Sequence, residues 1–507
     1  MLKDSVAEIK VLSHACMLAR FGNTSIIIDP WLLGSCYWRS WWNFPEPQFD
    51  ADEVRAVDAV VISHIHWDHW HGPTIKRLLK DRPFIVADEP HRRSADDLRR
   101  IGVRDVTCVP HGGSVVVGDG VKLTLHQFGL WTSDTAIAIE LGATKILNAN
   151  DAKIAGLPLR RLLRRHGRFD FALRSHSSAN ARSCFRVEGQ SAVRDDAMHY
   201  ARSFQLFMQA VQPRYAVPFA SNHCYLHTDT ESFNDLAVNP LRLRAQLEQL
   251  GGLAGPELVV MAPGSSWRAN RGFELASTQA FENPAQYIAD YRVNKSAALA
   301  ANLAEEQRVE IASAVWHRLL SHLKRIPRWR RRLGRIPGCG IELYWPDGRQ
   351  RWFELDVAAA KVIEVQAQDA ASWPARMRWP AAVFRDVVMK CMYSQGMISK
   401  RFQFVGKSQR DLDALIRTFG LLGQVEAGVF PLRMPYLLRT IRCYARRWAE
   451  LLVYLQAAYL IVLRGRPGYE VEEILLRAVR TGGQRNSSGR ETEIATPQLR
   501  DEKIPLP

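Results

Sequence analysis

The stretch VVISHIHWDHWHG, residues 60–72, limits what this chain can become. Its apolar half reads as a strand buried on both faces. Four histidines and an aspartate follow directly. Side chains two apart on a strand point the same way, so His64 and His66 aim into one cavity. Asp68 and His69 come from the loop before the next helix and approach that cavity from another side. A lone buried histidine is commonly a hydrogen-bonded core residue. Four ligand-type side chains at the mouth of one apolar strand need a shared partner. Imidazoles with one or two carboxylates suit zinc, iron or manganese.

The surrounding pattern is α/β. EIKVLSHACMLARF and TSIIIDPWL predict strands joined by the turn GNT. GPTIKRLLK predicts a helix with Pro73 in its first turn, and SADDLRRIG a short helix closed by Gly102. DTAIAIELGATKILNAND predicts a hairpin turning at Gly142. A helix is expected over 195–211, and a second hairpin around Pro346-Asp347-Gly348. At 507 residues, two or three domains are expected. The boundaries fall at 1–270, a catalytic domain; 271–340, a helical basic linker; 341–480, an α+β and helical domain; and 481–507, a disordered tail.

Eight cysteines without a Cys-x-x-Cys pair fit a reducing, cytoplasmic setting. The N-terminus has no apolar signal region. The longest late apolar run, 449–463, contains Glu450 and Gln456; it is too short to span a bilayer and predicts a buried helix. The net charge of +16 fits either a solvated surface or an anionic partner.

HIHWDH matches the HxHxDH signature of the metallo-β-lactamase superfamily, and the resemblance extends over residues 8–265. It implies an αββα sandwich followed by a C-terminal α+β and helical extension. It also implies two divalent metal ions, zinc first and iron or manganese as alternatives. His64, His66 and His126 would hold the first, Asp68, His69 and His223 the second, with Asp151 bridging. His111 is the rival of His126, and His227 of His223. Asp68 and His69 would also serve catalysis, and His176 would line the substrate pocket. Water held between the ions would become the nucleophile of a hydrolase. Arg174, Arg182 and Arg186 are candidates to hold an anionic, phosphorylated or nucleotide-linked small molecule.

VLSHACMLARFGNTSIIIDPWLLGS resembles the L-ascorbate-6-phosphate lactonase branch, where a histidine after the first strand is typical. ISHIHWDHWHGPTIKRL, KILNAND, RYAVPFAS and VNP resemble CMP-N-acetylneuraminate hydroxylases. That resemblance implies an iron-dependent oxygenase fed by a Rieske domain. Rieske ligation needs Cys-x-His and Cys-x-x-His, and no cysteine here has that spacing. An oxygenase would therefore need an external reductase. RNA-processing relatives carry a large insertion before the last ligand, and the stretch from Asp151 to His223 is short for one, so nucleic acid is disfavoured. The basic run 317–335 predicts a solvated helical face, with a phosphate or peripheral membrane contact as the alternative. Residues beyond 341 faintly resemble sterol-carrier-like domains.

Overall fold

The computed structural model describes residues 5–130, 133–177, 181–190, 197–333, 339–370, 372–466 and 468–484. Two mixed sheets face each other. The first runs, edge to edge, Gly272–Glu274, Ser266–Arg268, Ala7–Val11, Met17–Phe21, Thr24–Ile28, Ala59–Ile62, Phe84–Ala87 and Val106–Val109. The second runs Glu257–Leu258, Tyr215–Pro218, Phe171–Arg174, Thr144–Asn150, Asp134–Leu141, Val121–Phe128 and Ser114–Val117. Each sheet is antiparallel in one half and parallel in the other.

Strand alternation builds the layers. Ile26 and Ile28 point inward and meet Leu123, Leu125, Ile137 and Ile139 of the opposite sheet in one core. Ile27, Val60 and Ile62 point outward, where Leu79 and Leu98 from the flanking helical segments cover them. On the other side Leu147 and Ala149 are covered by Leu159, Phe204, Phe207 and Leu243. The result is the αββα sandwich that the sequence predicts.

The helix expected over GPTIKRLLK is a single turn, Gly72–Thr74, continued as a π-turn, Ile75–Leu79. The hairpins are where the sequence places them. Leu141 pairs with Thr144 around Gly142 at φ +60°, and Tyr344 pairs with Gln350 around Gly348. The helix over 195–211 is described as Ala197–Val211.

A six-stranded sheet lies beyond the sandwich. Its order is Phe185–Val187, Gln403–Gly406, Ala375–Pro380, Cys339–Tyr344, Gln350–Asp356 and Lys361–Val365. Its edge strand Phe185–Val187 comes from between Asp151 and His223, so the two sheet systems are stitched together. Trp379, Phe402, Phe404 and Phe419 fill its interior. The basic helix Ser313–Arg325 turns Val315, Leu319 and Leu323 into that same core. The helix Gly468–Gln484 instead packs Leu475, Leu476 and Val479 against the sandwich. The predicted tail therefore overlaps a helix at 481–484, and its remainder, 485–507, lies outside the described residues.

The run 449–463 corrects an expectation. It is helical, but Leu451, Leu452, Leu455, Tyr459, Ile461, Val462 and Leu463 are exposed, and the buried positions include Glu450. No helix among the described residues is long and apolar enough to cross a membrane.

Candidate metal centre

His64 leaves the end of the strand Ala59–Ile62. Its Nε2 lies 2.8 Å from His66 Nδ1, 3.9 Å from Asp134 Oδ1 and 3.9 Å from Asp151 Oδ2. His69 Nε2 lies 3.2 Å from that same Asp151 oxygen and 3.5 Å from Asp68 Oδ2. His14 Nε2 lies 3.1 Å from Asp68 Oδ2. Three overlapping donor sets result: His64/His66/Asp134, His64/His69/Asp151 and His14/Asp68/His69. Asp151 Oδ2 lies between a histidine of each outer set, 3.9 Å from His64 and 3.2 Å from His69.

The protonation pattern suits cation binding, since ligands must give lone pairs. Burial pushes His64 and His66 down to about 4, leaving both imidazoles neutral near pH 7. Burial alone would raise Asp68 and Asp151, but the neighbouring histidines hold both carboxyls well below the usual range. Burial raises Asp134 to about 6. Burial also opposes a proton on His69, yet Asp68 and Asp29 retain it, so a cation would compete with that proton. His69 Nε2 faces the Asp151 and Asp68 carboxylates rather than backbone, which fits a donor aimed at a shared cation.

Asp29 holds this shell in place. It sits in the left-handed region, φ 49°. Its Oδ2 lies 2.8 Å from His69 Nδ1 and accepts from Ser63 Oγ at 2.6 Å and Asn150 Nδ2 at 2.9 Å. A carboxylate on one ring nitrogen turns the other towards the centre. The Tyr37 hydroxyl donates to Asp68 Oδ1 at 2.5 Å. Tyr37 stacks on Trp67, which packs against Trp38, and Trp38 Nε1 donates to Asp386 Oδ2. Gln395 Nε2 donates to the carbonyl of Ile65 inside the motif. The C-terminal half thus pins the loops around the histidine cluster.

The structure brings together His64, His66, Asp68, His69 and Asp151. His223 lies one ring further out, 5.4 Å from His14 between centroids and stacked on Trp41 at 3.7 Å. Its Nδ1 is buried without a hydrogen-bond partner.

His126 is a correction. Leu123 and Leu125 point into the sandwich, so the alternation turns His126 outward, where its Nε2 lies 3.0 Å from His166 Nε2. Its rival His111 packs beside it, 5.8 Å away. Arg174 is also corrected as a substrate ligand. It is buried against Phe207 and its Nη2 donates to Glu472 at 2.5 Å. His227 belongs to a separate ion cluster, with Asp229, Glu306 and Arg401. His176 is fully buried, held down at about 3 by burial, with His14 among its neighbours. Arg182 and Arg186 are exposed. His71 caps the turn at Gly72–Thr74 through Nδ1.

Two residues escaped sequence reading as ligands. His14 is the histidine after the first strand. Asp134 opens the strand Asp134–Leu141 and looks like an ordinary polar strand end. A signal was present: continuing the register Leu141↔Thr144, Ile137↔Asn148 to the open end of the hairpin sets Asp134 opposite Asp151.

Residues 8–132 match the family model of the beta-lactamase superfamily domain. This segment carries the metallo-β-lactamase fold. The chain is 33% identical over 156 residues to the cytidine monophosphate-N-acetylneuraminic acid hydroxylase of Xenopus laevis, covering 30% of this chain and 26% of that one. It therefore spans about a quarter of the length of the curated relatives it matches. Among solved structures, isothiocyanate hydrolase from Delia radicum gut bacteria aligns with TM-score 0.38 and 14% identity, over 51% of this chain and 97% of that one. CmlA, a diiron β-hydroxylase from Streptomyces venezuelae, aligns with TM-score 0.34 and 17% identity, over 50% and 53%. Both hydrolases and hydroxylases occur among these similar proteins.

Proposed function

We propose that this chain uses a dinuclear iron centre to hydroxylate an anionic small molecule, with electrons from a separate protein. The observation that carries this reading is Asp134. A carboxylate completes the set with His64 and His66, where the sequence had suggested an imidazole. With Asp68 and Asp151, three carboxylates meet the histidines, and oxygen-rich donor sets move preference from zinc towards iron and manganese. The similarity to hydroxylases of a nucleotide-linked sugar supports the same direction.

Bound iron with open positions would supply oxygen activation. The protein's own groups do the positioning. Asp29 fixes the His69 ring, and the Tyr37 hydroxyl fixes Asp68. Tyr37, Trp38 and Trp67 form an aromatic wall beside Asp68. Inserting oxygen into a C–H bond consumes electrons, and the cysteine spacing offers no Rieske cluster to supply them.

Hydrolysis is the second reading. It is favoured by Asp151, which lies between a histidine of each outer donor set and would hold both ions of a pair that activates water. Metal analysis of protein purified without a His tag, in air and anaerobically, separates the two. Near-stoichiometric iron with reductant-dependent O2 uptake is expected. Zinc in both preparations, with O2-independent turnover of lactones or phosphoesters, would replace the oxygenase by the hydrolase.

A further inference from the structure

The helices Met434–Arg446 and Trp448–Ala458, with the turn to Leu463, invert the usual amphipathic arrangement. Their inward side carries charge: Arg447 and Glu450 are buried, bonded to each other and to the backbone of Gly129. Their outward side carries Leu438, Ile441, Trp448, Leu452, Leu455 and Val462, at intervals of three, four or seven residues. Leu455 is 67% exposed and Val462 76%, so this face is not part of the folded core. A stripe of this length on a monomer needs a second apolar phase to cover it.

Charge identifies that phase. From Leu432 to Arg466 the only carboxylate is the buried Glu450. Arg433, Arg442, Arg446, Arg464 and Arg466 are exposed around the stripe. Among the described residues only Arg466 of these has a carboxylate partner, Glu470, and an apolar face with a largely cationic rim is the pattern of a helix lying in an anionic lipid surface. A second copy docking on the same face would oppose one arginine rim to another.

A further feature lies at the foot of the stripe. A cavity of about 690 Å³ opens between these helices and Gly156–His166. Arg161, Arg164, Arg165, Arg446 and Arg447 line it; Arg447 is engaged by Glu450, its one carboxylate, and Arg165 by the Gly112 carbonyl, which leaves Arg161, Arg164 and Arg446 to face a ligand. Arg161 lies over the Trp448 ring at 5.0 Å, so cavity and stripe are continuous. Guanidinium groups converging on one space suit a phosphate.

We propose that residues 434–463 dock this protein on the surface of an anionic membrane, with a lipid headgroup phosphate seated in the arginine cavity. The apolar stripe enters the acyl boundary without spanning it. The inference stands independently of the reaction at the metal centre.

Flotation of the full chain with vesicles tests it. Binding to mixed phosphatidylcholine–phosphatidylglycerol vesicles is expected, weaker by about tenfold or more on phosphatidylcholine alone or in high salt. The variant L438Q/L452Q/V462Q should lose binding to both vesicle types by about tenfold or more while its melting temperature stays unchanged. The variant R161Q/R164Q/R446Q should lose the preference for phosphatidylglycerol and keep the weak binding to phosphatidylcholine. No binding to either vesicle, or equal binding by the glutamine variant of the stripe, overturns the proposal. So does a concentration-dependent dimer that this variant abolishes, which would make the face a self-interface. Binding that emerges only after truncation following Gln484 overturns it too, because the chain's own last residues would then cover the stripe.

Discussion

At the mouth of the sandwich, imidazoles and carboxylates crowd into a largely buried cluster, with His14, His64, Asp68 and His69 all nearly inaccessible. Along Met434–Leu463 the chain does the reverse, placing Leu438, Leu455 and Val462 outside and the Arg447–Glu450 pair inside. Burying charge and exposing large apolar surface both oppose folding unless something compensates. In the first region the compensation is mutual and second-layer, through Asp29, Ser63 and Tyr37, and is completed by a cation on the proposed reading. In the second, a lipid surface is the proposed complement. The contrast teaches that a departure from the apolar-inside rule marks where this molecule meets something other than itself.

The largest expected effect lies at the first region. His66→Ala or Asp68→Ala should abolish metal-dependent activity and cut bound metal, measured by mass spectrometry, with the circular dichroism spectrum unchanged. Wild-type metal content in both variants would remove the site.

Next is the joint between the two halves. Arg401 is buried, bonding Glu306 at 2.6 and 2.7 Å and Asp229 at 2.8 Å. Arg401→Leu leaves those carboxylates unpaired and should cost about 3–5 kcal/mol in urea unfolding. A loss under about 1 kcal/mol would show that the cluster is not a joint. The same cluster sets an acid limb. Burial alone would raise Glu306 and Asp229, but Arg401 more than reverses it and both are lowered. Depressed carboxyls stabilise the fold above their ordinary range, near pH 4, and that stability is lost as pH falls through their folded values. Wild type should therefore lose stability below about pH 4 more steeply than the Arg401→Leu variant.

Asp29→Asn keeps the shape but weakens the support behind His69. Metal affinity, read by competition with a chelator, should fall about 10–100-fold. An unchanged affinity would mean that His69 needs no orientation from behind.

Two smaller effects sharpen the contrast. His126→Gln should leave metal content intact and cost about 1 kcal/mol through its lost contact with His166. Loss of metal there would restore His126 as a ligand. Leu452→Gln on the outer stripe should change stability by no more than about 0.5 kcal/mol. A cost above about 2 kcal/mol would place Leu452 in a packed core.

Much of the centre was legible because its signal is local. HIHWDH follows a strand whose alternation can be read directly, and Asp151 closes a hairpin whose turn at Gly142 is plain. The same alternation, L-T-L-H over 123–126, already turned His126 away from the core; expecting a further histidine outweighed it. Arg174 could not be judged locally, because its partner Glu472 lies in a helix near the other end of the chain.

By itself, the sequence determined the motif, the strands around it and the hairpins, since periodicity and turn chemistry act over a few residues; the sandwich followed from the family resemblance that the motif carries. Asp134 was readable only by extending the hairpin register to Asp151. Only the tertiary structure decided that His14 joins the cluster, because it follows a strand, Ala7–Val11, that is not a neighbour of Ala59–Ile62 in the sheet. It alone decided that Phe185–Val187 completes a distant sheet and that the apolar run 449–463 faces outward. An amphipathic helix records which residues share a face; which face is covered depends on remote segments, here Gly129 and the helix Gly156–His166, whose positions the whole fold sets.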